Sequence, residues 1–348
     1  MNSTRTAAFA RNTKLEELLT ELNSLLADAE NQILSQFQQP RLPPVFVVGC
    51  PRSGTTLLTQ WLAGSGEFAY PSNLISRFYQ APYLGARIQQ MLVDSQLAFR
   101  HEMTGIDSIL SGDYQSTLGK TAGALAPNEF WYFWRRFFPY GEIQHLTDQE
   151  LANIDVETFS SELAALEAAF NKPLGMKALI ANWNLPFLAG VFEKAIFLYI
   201  KRQPFFTIQS LLKARQQFFG TEDKWYSFKP PEYDQLKQLN PYEQVGGQVY
   251  FTNQAIQQGL QRIDFARWIE IDYEQFCHNP KDIWQQLAAR LLEQGYEIHQ
   301  KYDDPVEFEN QNRITTSART QEAIITAFWK MFQIDITPEP CSVRDSEF

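Results

Sequence analysis

The chain has 348 residues, 44% of them hydrophobic and 20% charged, a balance that excludes disordered and fibrous classes. Thirty Lys and Arg against forty Asp and Glu give a net charge of -10, which argues against a nucleic-acid partner but leaves room for one basic pocket in a cleft. Cys50, Cys277 and Cys341 are too few and too scattered for a disulfide framework, so a reduced, cytoplasmic setting is expected.

The first residues, up to Lys14, lack the apolar core of a signal peptide, and no later run approaches the roughly 20 apolar residues of a membrane helix, so no integral membrane segment is expected. Residues 13–38 predict an amphipathic helix. Thr13 with Glu16 forms a capping box, and Leu15, Leu18, Leu22, Leu25, Leu26, Ala29 and Ile33 follow at helical spacing. This helix either packs on its own domain or forms the interface of a homo-oligomer. Residues 1–40 are read as this N-terminal unit and 41–348 as an α/β domain. Pro40, Pro43 and Pro44 end the helix and lead into Val45–Val48, an apolar run suited to a strand buried on both faces.

Further strands are expected at 176–180, 195–201 and 267–273, with a weaker one at 68–70. Helical patterns fall at 55–64, 147–170, 185–193, 203–218, 242–262, 280–294 and 319–333. The alternation predicts an α/β fold with a parallel sheet of about five strands flanked by helices. Residues 70–145 break it as a mostly helical insertion between the second and third strands, placed where acceptor-side elements are commonly built.

Gly49-Cys50-Pro51-Arg52-Ser53-Gly54-Thr55-Thr56 follows the first strand and opens a helix. Its glycines let backbone amides converge, and the helix dipole favours an anion there. The glycine spacing is that of a phosphate-binding loop, G-x-x-x-x-G-K-[ST], but Thr55 stands in the lysine position and only the hydroxyl of Thr56 is kept. Arg52, inside the loop, supplies a cation from another direction. The stretch from Pro51 to Thr56 resembles the 5'-phosphosulfate loop of sulfotransferases that use 3'-phosphoadenylyl sulfate, in the branch containing tyrosylprotein, carbohydrate and many bacterial enzymes. The resemblance implies that Arg52, Ser53, Gly54, Thr55 and Thr56 bind this co-substrate, with Arg52 and the loop amides also acting in catalysis by stabilising the leaving oxygen; without the loop lysine, no metal is expected.

Two further landmarks fit. Ala195–Arg202 is a strand ending in a basic pair, with Gln203-Pro204 next and Ser210 eight residues after Arg202. An arginine fork and a serine hydroxyl there can converge on one phosphate, the 3'-phosphate in the family pattern. Gln203 stands where the family usually has Asp. Ile271–Phe276, followed by Asn279-Pro280, resembles a strand end that places Tyr273 near the adenine; by chemistry alone Tyr273 is equally a core aromatic.

Other motifs carry less. Gly64-Ser65-Gly66 follows a helix and reads as its C-terminal cap, not a dinucleotide fingerprint. Cys50 opens the loop as a phosphatase nucleophile would, but no arginine closes it, so an inert thiol is expected. The four histidines show no metal-ligand spacing.

Lys177, among apolar strand residues, needs a partner, and family members carry a lysine on this strand that assists at the sulfate. Both familiar bases are missing: Ala178-Leu179 follow Lys177 without a histidine, and Asn73 lies in the region where another branch has a glutamate. The insertion must then supply the base. Glu129 is the first candidate and His101 the second; Glu102, Asp107 and Asp113 are the other titratable groups. The aromatic block Phe130–Phe138 is either core or an acceptor wall, suited to a sugar, a phenol or a partly lipidic molecule. The expected reaction is sulfuryl transfer to a hydroxyl on a carbohydrate or glycolipid. A nucleotide-dependent phosphotransferase and a non-catalytic nucleotide-binding module are the alternatives.

Overall fold

The structure is a computed structural model that describes residues 5–94, 97, 116–117, 120–302 and 305–338. Helix α1 (Thr13–Leu34) precedes strand β1 (Val45–Gly49) and helix α2 (Thr55–Gly64). The insertion holds α3 (Pro82–Val93), a ribbon of β2 (Ser116–Thr117) and β3 (Lys120–Thr121), and α4 (Trp131–Phe137). Then come α5 (Asp148–Ala152), α6 (Val156–Phe170), β4 (Gly175–Lys177), α7 (Leu185–Val191), β5 (Ile196–Lys201), α8 (Pro204–Phe219) and α9 (Tyr233–Leu236). Helix α10 (Pro241–Leu260), strand β6 (Trp268–Asp272) and helices α11 (Tyr273–His278), α12 (Pro280–Glu293) and α13 (Ala318–Phe332) complete the described order.

The α/β fold with helices around a parallel sheet is as the alternation predicts. The sheet order is β4-β1-β5-β6. Val47 stands beside Lys177 on one side and Leu198 on the other, and Lys201 stands beside Asp272. This register aligns the carboxyl ends of all four strands at one edge. The weaker strand expected at 68–70 is reduced to one parallel bridge, Ala69 to Leu174. Pro71 has no amide to continue that ladder, and Ser72 turns away to pair with Pro127. β4 stops at Lys177 because Ala178 leaves the extended region and a 3-10 turn, Leu179–Ala181, begins. The long helix expected over 147–170 divides in two, because Asp155 caps α6 by accepting from the Thr158 amide.

The sheet is apolar on both faces. Phe46, Val48, Phe197 and Tyr199 face the insertion side with Trp134 and Phe159. Val45, Val47, Leu198 and Ile200 face Leu58, Trp61, Phe276 and Trp284. Helical periodicity divides the aromatic block. Phe130, Phe133, Trp134, Phe137 and Phe138 are buried, while Trp131 and Tyr132 are 37% and 46% exposed. Arg136 locks this helix to α6 through two bonds to Glu162 (2.7 and 2.8 Å).

Helix α1 is capped by Asn12, which accepts from the Leu15 amide, not by the expected Thr13 box. It packs on the insertion of its own chain through two buried polar side chains. Asn23 donates to the Arg77 carbonyl and accepts from the Gln80 amide, both at 2.8 Å. Glu30 accepts from the amides of Tyr83 (2.7 Å) and Leu84 (3.0 Å) in the first turn of α3, where the helix dipole favours a carboxylate. Burial raises the Glu30 carboxyl above its ordinary pKa, against the pull of those amides. Asn23→Ala removes the side-chain partner of the half-buried Gln80 amide and Arg77 carbonyl, at about 1–2 kcal/mol each. The urea midpoint is therefore expected to fall by the equivalent of about 2–4 kcal/mol. An unchanged midpoint would show that the helix is not held by this clamp.

Candidate active site

The loop between β1 and α2 is built by close approach. A Cβ at Gly49 would stand 2.6 Å from the Ile200 carbonyl oxygen. Gly54 has φ +103, and a Cβ there would stand 2.5 Å from Cδ2 of Tyr273. Glycine is thus required at Gly54 both by conformation and by the ring seated against it. Arg52 adopts the left-handed region at φ 72, rare for a residue with a side chain. Ser53 ties the loop down by donating its hydroxyl to the Ile200 carbonyl at 3.0 Å. The fully buried Asn182 holds the first residue, donating to the Gly49 carbonyl at 2.9 Å. Gly54 then opens α2, whose first amides have no helical acceptor and suit an anion.

Lys177 ends β4 beside this loop. Its side chain is 5% exposed, and its ammonium donates to the Thr56 hydroxyl at 2.9 Å and to Glu129 Oε1 at 3.0 Å. A buried ammonium is costly unless it is paired, and these two contacts supply the partners. The cation absent from position 55 of the loop therefore arrives from the neighbouring strand.

Glu129 is carried there by a polar staple. Asn73 donates to the carbonyls of Thr121 (2.8 Å) and Gly123 (2.7 Å), and its Oδ1 accepts from Asn128 at 2.6 Å. The Asn128 amide donates to the Pro71 carbonyl at 2.8 Å, and Asn128 Oδ1 accepts from the Phe130 amide at 2.7 Å. Glu129 thus precedes the cap residue of α4 and lies outside the helix. Its side chain is 44% exposed, with one oxygen on Lys177. Asn73 is the strut of the segment that carries Glu129.

The second basic cluster lies at the end of β5. Arg202 donates to Asn312 Oδ1 at 2.6 Å, to the Gln311 carbonyl at 2.8 Å and to the Arg52 carbonyl at 3.3 Å. It stacks 4.8 Å from the centre of the Tyr273 ring. The Arg52 guanidinium donates to Ser210 Oγ at 3.1 Å. Arg52, Arg202 and Ser210 are thus joined as a preformed set, with Tyr273 beside it. Burial draws both guanidinium pKa values below the ordinary arginine range. Tyr273 is pushed up to about 12, chiefly by burial; the Gln311 amide, which donates to its hydroxyl at 3.1 Å, pulls the other way.

Lys177 and Glu129 are brought together, as are the loop residues with Arg202, Ser210 and Tyr273. His101, Glu102, Asp107 and Asp113 lie outside the described residues. Sequence reasoning missed the strap over residues 308–316. It supplies Gln311 and Asn312 to Arg202, and the Thr315 amide donates to Gln209 of α8 at 2.8 Å. A polar run such as Glu309-Asn310-Gln311-Asn312 has no periodicity to announce it. Also missed was Tyr226, whose phenol is raised by burial and by the nearby Glu129 while Arg52 lowers it. Phe228 was missed too. It joins Trp131, Trp134, Leu179 and Ile180 around a small pocket that also takes in Glu129 and Lys177.

A sequence profile for the sulfotransferase family matches residues 43–294, most of the chain and all of this site except the strap. The chain belongs to the sulfotransferase family and is a sulfuryl-transferring enzyme. Its fold is similar to that of sulfotransferase STF9 from Mycobacterium avium, at 14% identity and TM-score 0.50, over 96% of this chain and 89% of that one. It is also similar to sulfotransferase STF1 from Mycobacterium tuberculosis H37Rv, at 12% identity and TM-score 0.50, over 94% and 87% of the two chains. A comparison with curated protein sequences finds no significant match.

Cys50 is fully buried, and burial alone lifts its thiol far above the ordinary range, away from the reactive thiolate. Burial likewise pushes Cys277 to about 11. Iodoacetamide at pH 8 is expected to leave both unmodified in the folded protein and to label both in urea, as peptide mass mapping can show. Rapid labelling of folded Cys50 would restore it as a nucleophile.

Proposed function

We propose that the enzyme moves a sulfuryl group from 3'-phosphoadenylyl sulfate to an acceptor hydroxyl, with Glu129 as the proton acceptor. The observation that carries this reading is the chain Thr56–Lys177–Glu129 at the mouth of an anion-binding loop. Ser53, Gly54, Thr55 and Thr56, with the first amides of α2, hold the 5'-phosphosulfate. Arg202, Ser210 and Arg52 hold the 3'-phosphate, and Tyr273 lies along the adenine.

The acceptor oxygen attacks sulfur in line, an S–O bond forms, and the bond to the bridging oxygen breaks. Adenosine 3',5'-bisphosphate leaves with that electron pair. Glu129 takes the acceptor proton through the oxygen that Lys177 does not hold, and the Lys177 ammonium and loop amides stabilise charge on the transferring group. Of the acceptors the sequence suggested, a carbohydrate needs partners for several hydroxyls. The lining residues, apolar apart from Glu129 and Lys177, favour the apolar portion of a glycolipid or a phenol over a free sugar.

The co-substrate assignment is tested by calorimetry. Adenosine 3',5'-bisphosphate should bind far more tightly than 5'-AMP, and Arg202→Ala should weaken it by about 1.5–3 kcal/mol for each charged hydrogen bond lost. Equal affinity for the two nucleotides sinks the 3'-phosphate site.

The base is tested by Glu129→Gln, which should lower turnover by about 10²–10⁴-fold while leaving bisphosphate affinity nearly unchanged. Full turnover in Glu129→Gln with loss in His101→Ala would move the role to His101. Transfer in excess chelator should persist, because Thr56 already accepts from an ammonium where a nucleotide hydrolase places magnesium. Loss of transfer under chelator, with ATP turnover on adding magnesium, would favour a phosphotransferase.

A further inference from the structure

Residues 222–229, between α8 and α9, are pinned by buried side chains of α8, α10 and the insertion. Arg215, fully buried, donates to the Glu222 carbonyl at 3.0 Å and stacks 5.0 Å from the centre of the Trp225 ring. The Trp225 indole donates to the Phe228 carbonyl at 2.9 Å. Gln248, also fully buried, donates to the carbonyls of Tyr226 (2.9 Å) and Phe228 (2.7 Å). Gln144 holds the far end, accepting from the Lys229 amide and donating its own amide to the Lys229 carbonyl. Ser227 lies in the left-handed region at φ 70. Such a conformation persists only where the surroundings hold it, and it gathers at functional sites.

The segment brings two aromatic side chains to the site. Phe228 lines the pocket with Glu129 and Lys177. Tyr226 packs on the cluster that holds Cys50 of the anion loop, and its ring lies 5.4 Å from Phe218. The charged groups that bear on its phenol are Arg52 and Glu129. Its hydroxyl has no hydrogen-bond partner among the described residues. Burial lifts the phenol above its ordinary pKa, so at neutral pH it keeps its proton and can donate a hydrogen bond. Packing accounts for the ring, but not for an unengaged hydroxyl beside both the loop arginine and the carboxylate.

We propose that Tyr226 is a further catalytic residue, donating its phenolic hydrogen bond to an oxygen of the transferring sulfuryl group. This rests on the reading of the loop as the phosphosulfate site and of Glu129 as the base. In that reading the acceptor oxygen stands at Glu129 and the leaving oxygen at the loop. Sulfur lies between them, and a phenol near both Arg52 and Glu129 is within reach of its oxygens. Tyr226 keeps its proton throughout. The acceptor proton goes to Glu129, and the electron pair of the broken S–O bond goes to the bisphosphate. A neutral donor fixes the group for in-line attack without adding a second cation to compete for Glu129.

The test needs no acceptor. Calorimetry compares adenosine 3',5'-bisphosphate with 3'-phosphoadenylyl sulfate on the full chain and on Tyr226→Phe, which keeps the ring against Phe218. The two nucleotides differ by the sulfuryl group that Tyr226 holds in this proposal. The variant is expected to bind the bisphosphate as the parent does, which also shows that it is folded. It should bind 3'-phosphoadenylyl sulfate about tenfold or more weakly, the factor for one hydrogen bond to a charged group. Equal affinity of parent and variant for the sulfated nucleotide overturns the inference and leaves the co-substrate reading standing. Equal weakening of both nucleotides also overturns it, because Tyr226 would then shape the nucleotide site as a whole. If the parent binds no bisphosphate, the co-substrate reading fails and this inference falls with it.

Discussion

A buried ammonium organises this site. Lys177 sits at the end of a strand that is otherwise apolar, with a side chain 5% exposed, and a charge in that position is costly without partners. Parallel pairing of β4 with β1 sets Lys177 beside Val47, so its head emerges where the anion-binding loop begins. Thr56 satisfies it from one side and Glu129 from the other. The position of the insertion follows from this requirement, since the carboxylate must reach back over the end of the sheet.

The insertion meets that requirement with two asparagines and a short helix. Asn73 and Asn128 tie the outgoing and returning strands of chain together, and Phe130, in the left-handed region, turns the backbone into α4. Once α4 starts there, its period decides which aromatics enter the core. Phe133, Trp134 and Phe137 pack around Phe159, and Trp131 is left at the mouth of the site. Core packing therefore takes one face of this helix and leaves Trp131 and Tyr132 on the other, so the dense aromatic block is divided between core and surface.

The fold and the glycine loop between β1 and α2 were legible because their signals are local. The strand runs have apolar stretches, the helices have period, and Gly49 and Gly54 stand at a fixed offset in a strand-to-helix turn. Arg202 and Ser210 were legible because one strand end and two helical turns define their separation. The 68–70 strand was overestimated because its hydrophobicity is real but Pro71 interrupts pairing after one bridge. Residues whose role depends on distant chain were not legible. Gln311 and Asn312 acquire theirs by meeting Arg202 across more than 100 positions, and neither composition nor spacing marks them. Asn73 was read as the absence of a base; its three hydrogen bonds to 121, 123 and 128 give it a structural task that only the folded insertion shows.

The pairing of Lys177 with Glu129 bears on how charge is handled during transfer. In a nucleotide hydrolase the loop lysine and magnesium hold positive charge at the phosphates throughout. Here the ammonium on Thr56 begins partly neutralised by the carboxylate 3.0 Å away. If Glu129 takes the acceptor proton, that carboxylate loses its charge, and the ammonium loses its counter-ion while remaining fixed to Thr56. Its field at the loop therefore strengthens as negative charge develops on the transferring group. The base and the electrostatic stabiliser are then coupled through one ion pair, and the gain is realised in the transition state more than in the bound substrates. A glutamate elsewhere in the insertion, out of reach of Lys177, would abstract a proton without this second effect. The strut at Asn73 thus matters for more than the shape of the loop, because it sets the carboxylate against the ammonium.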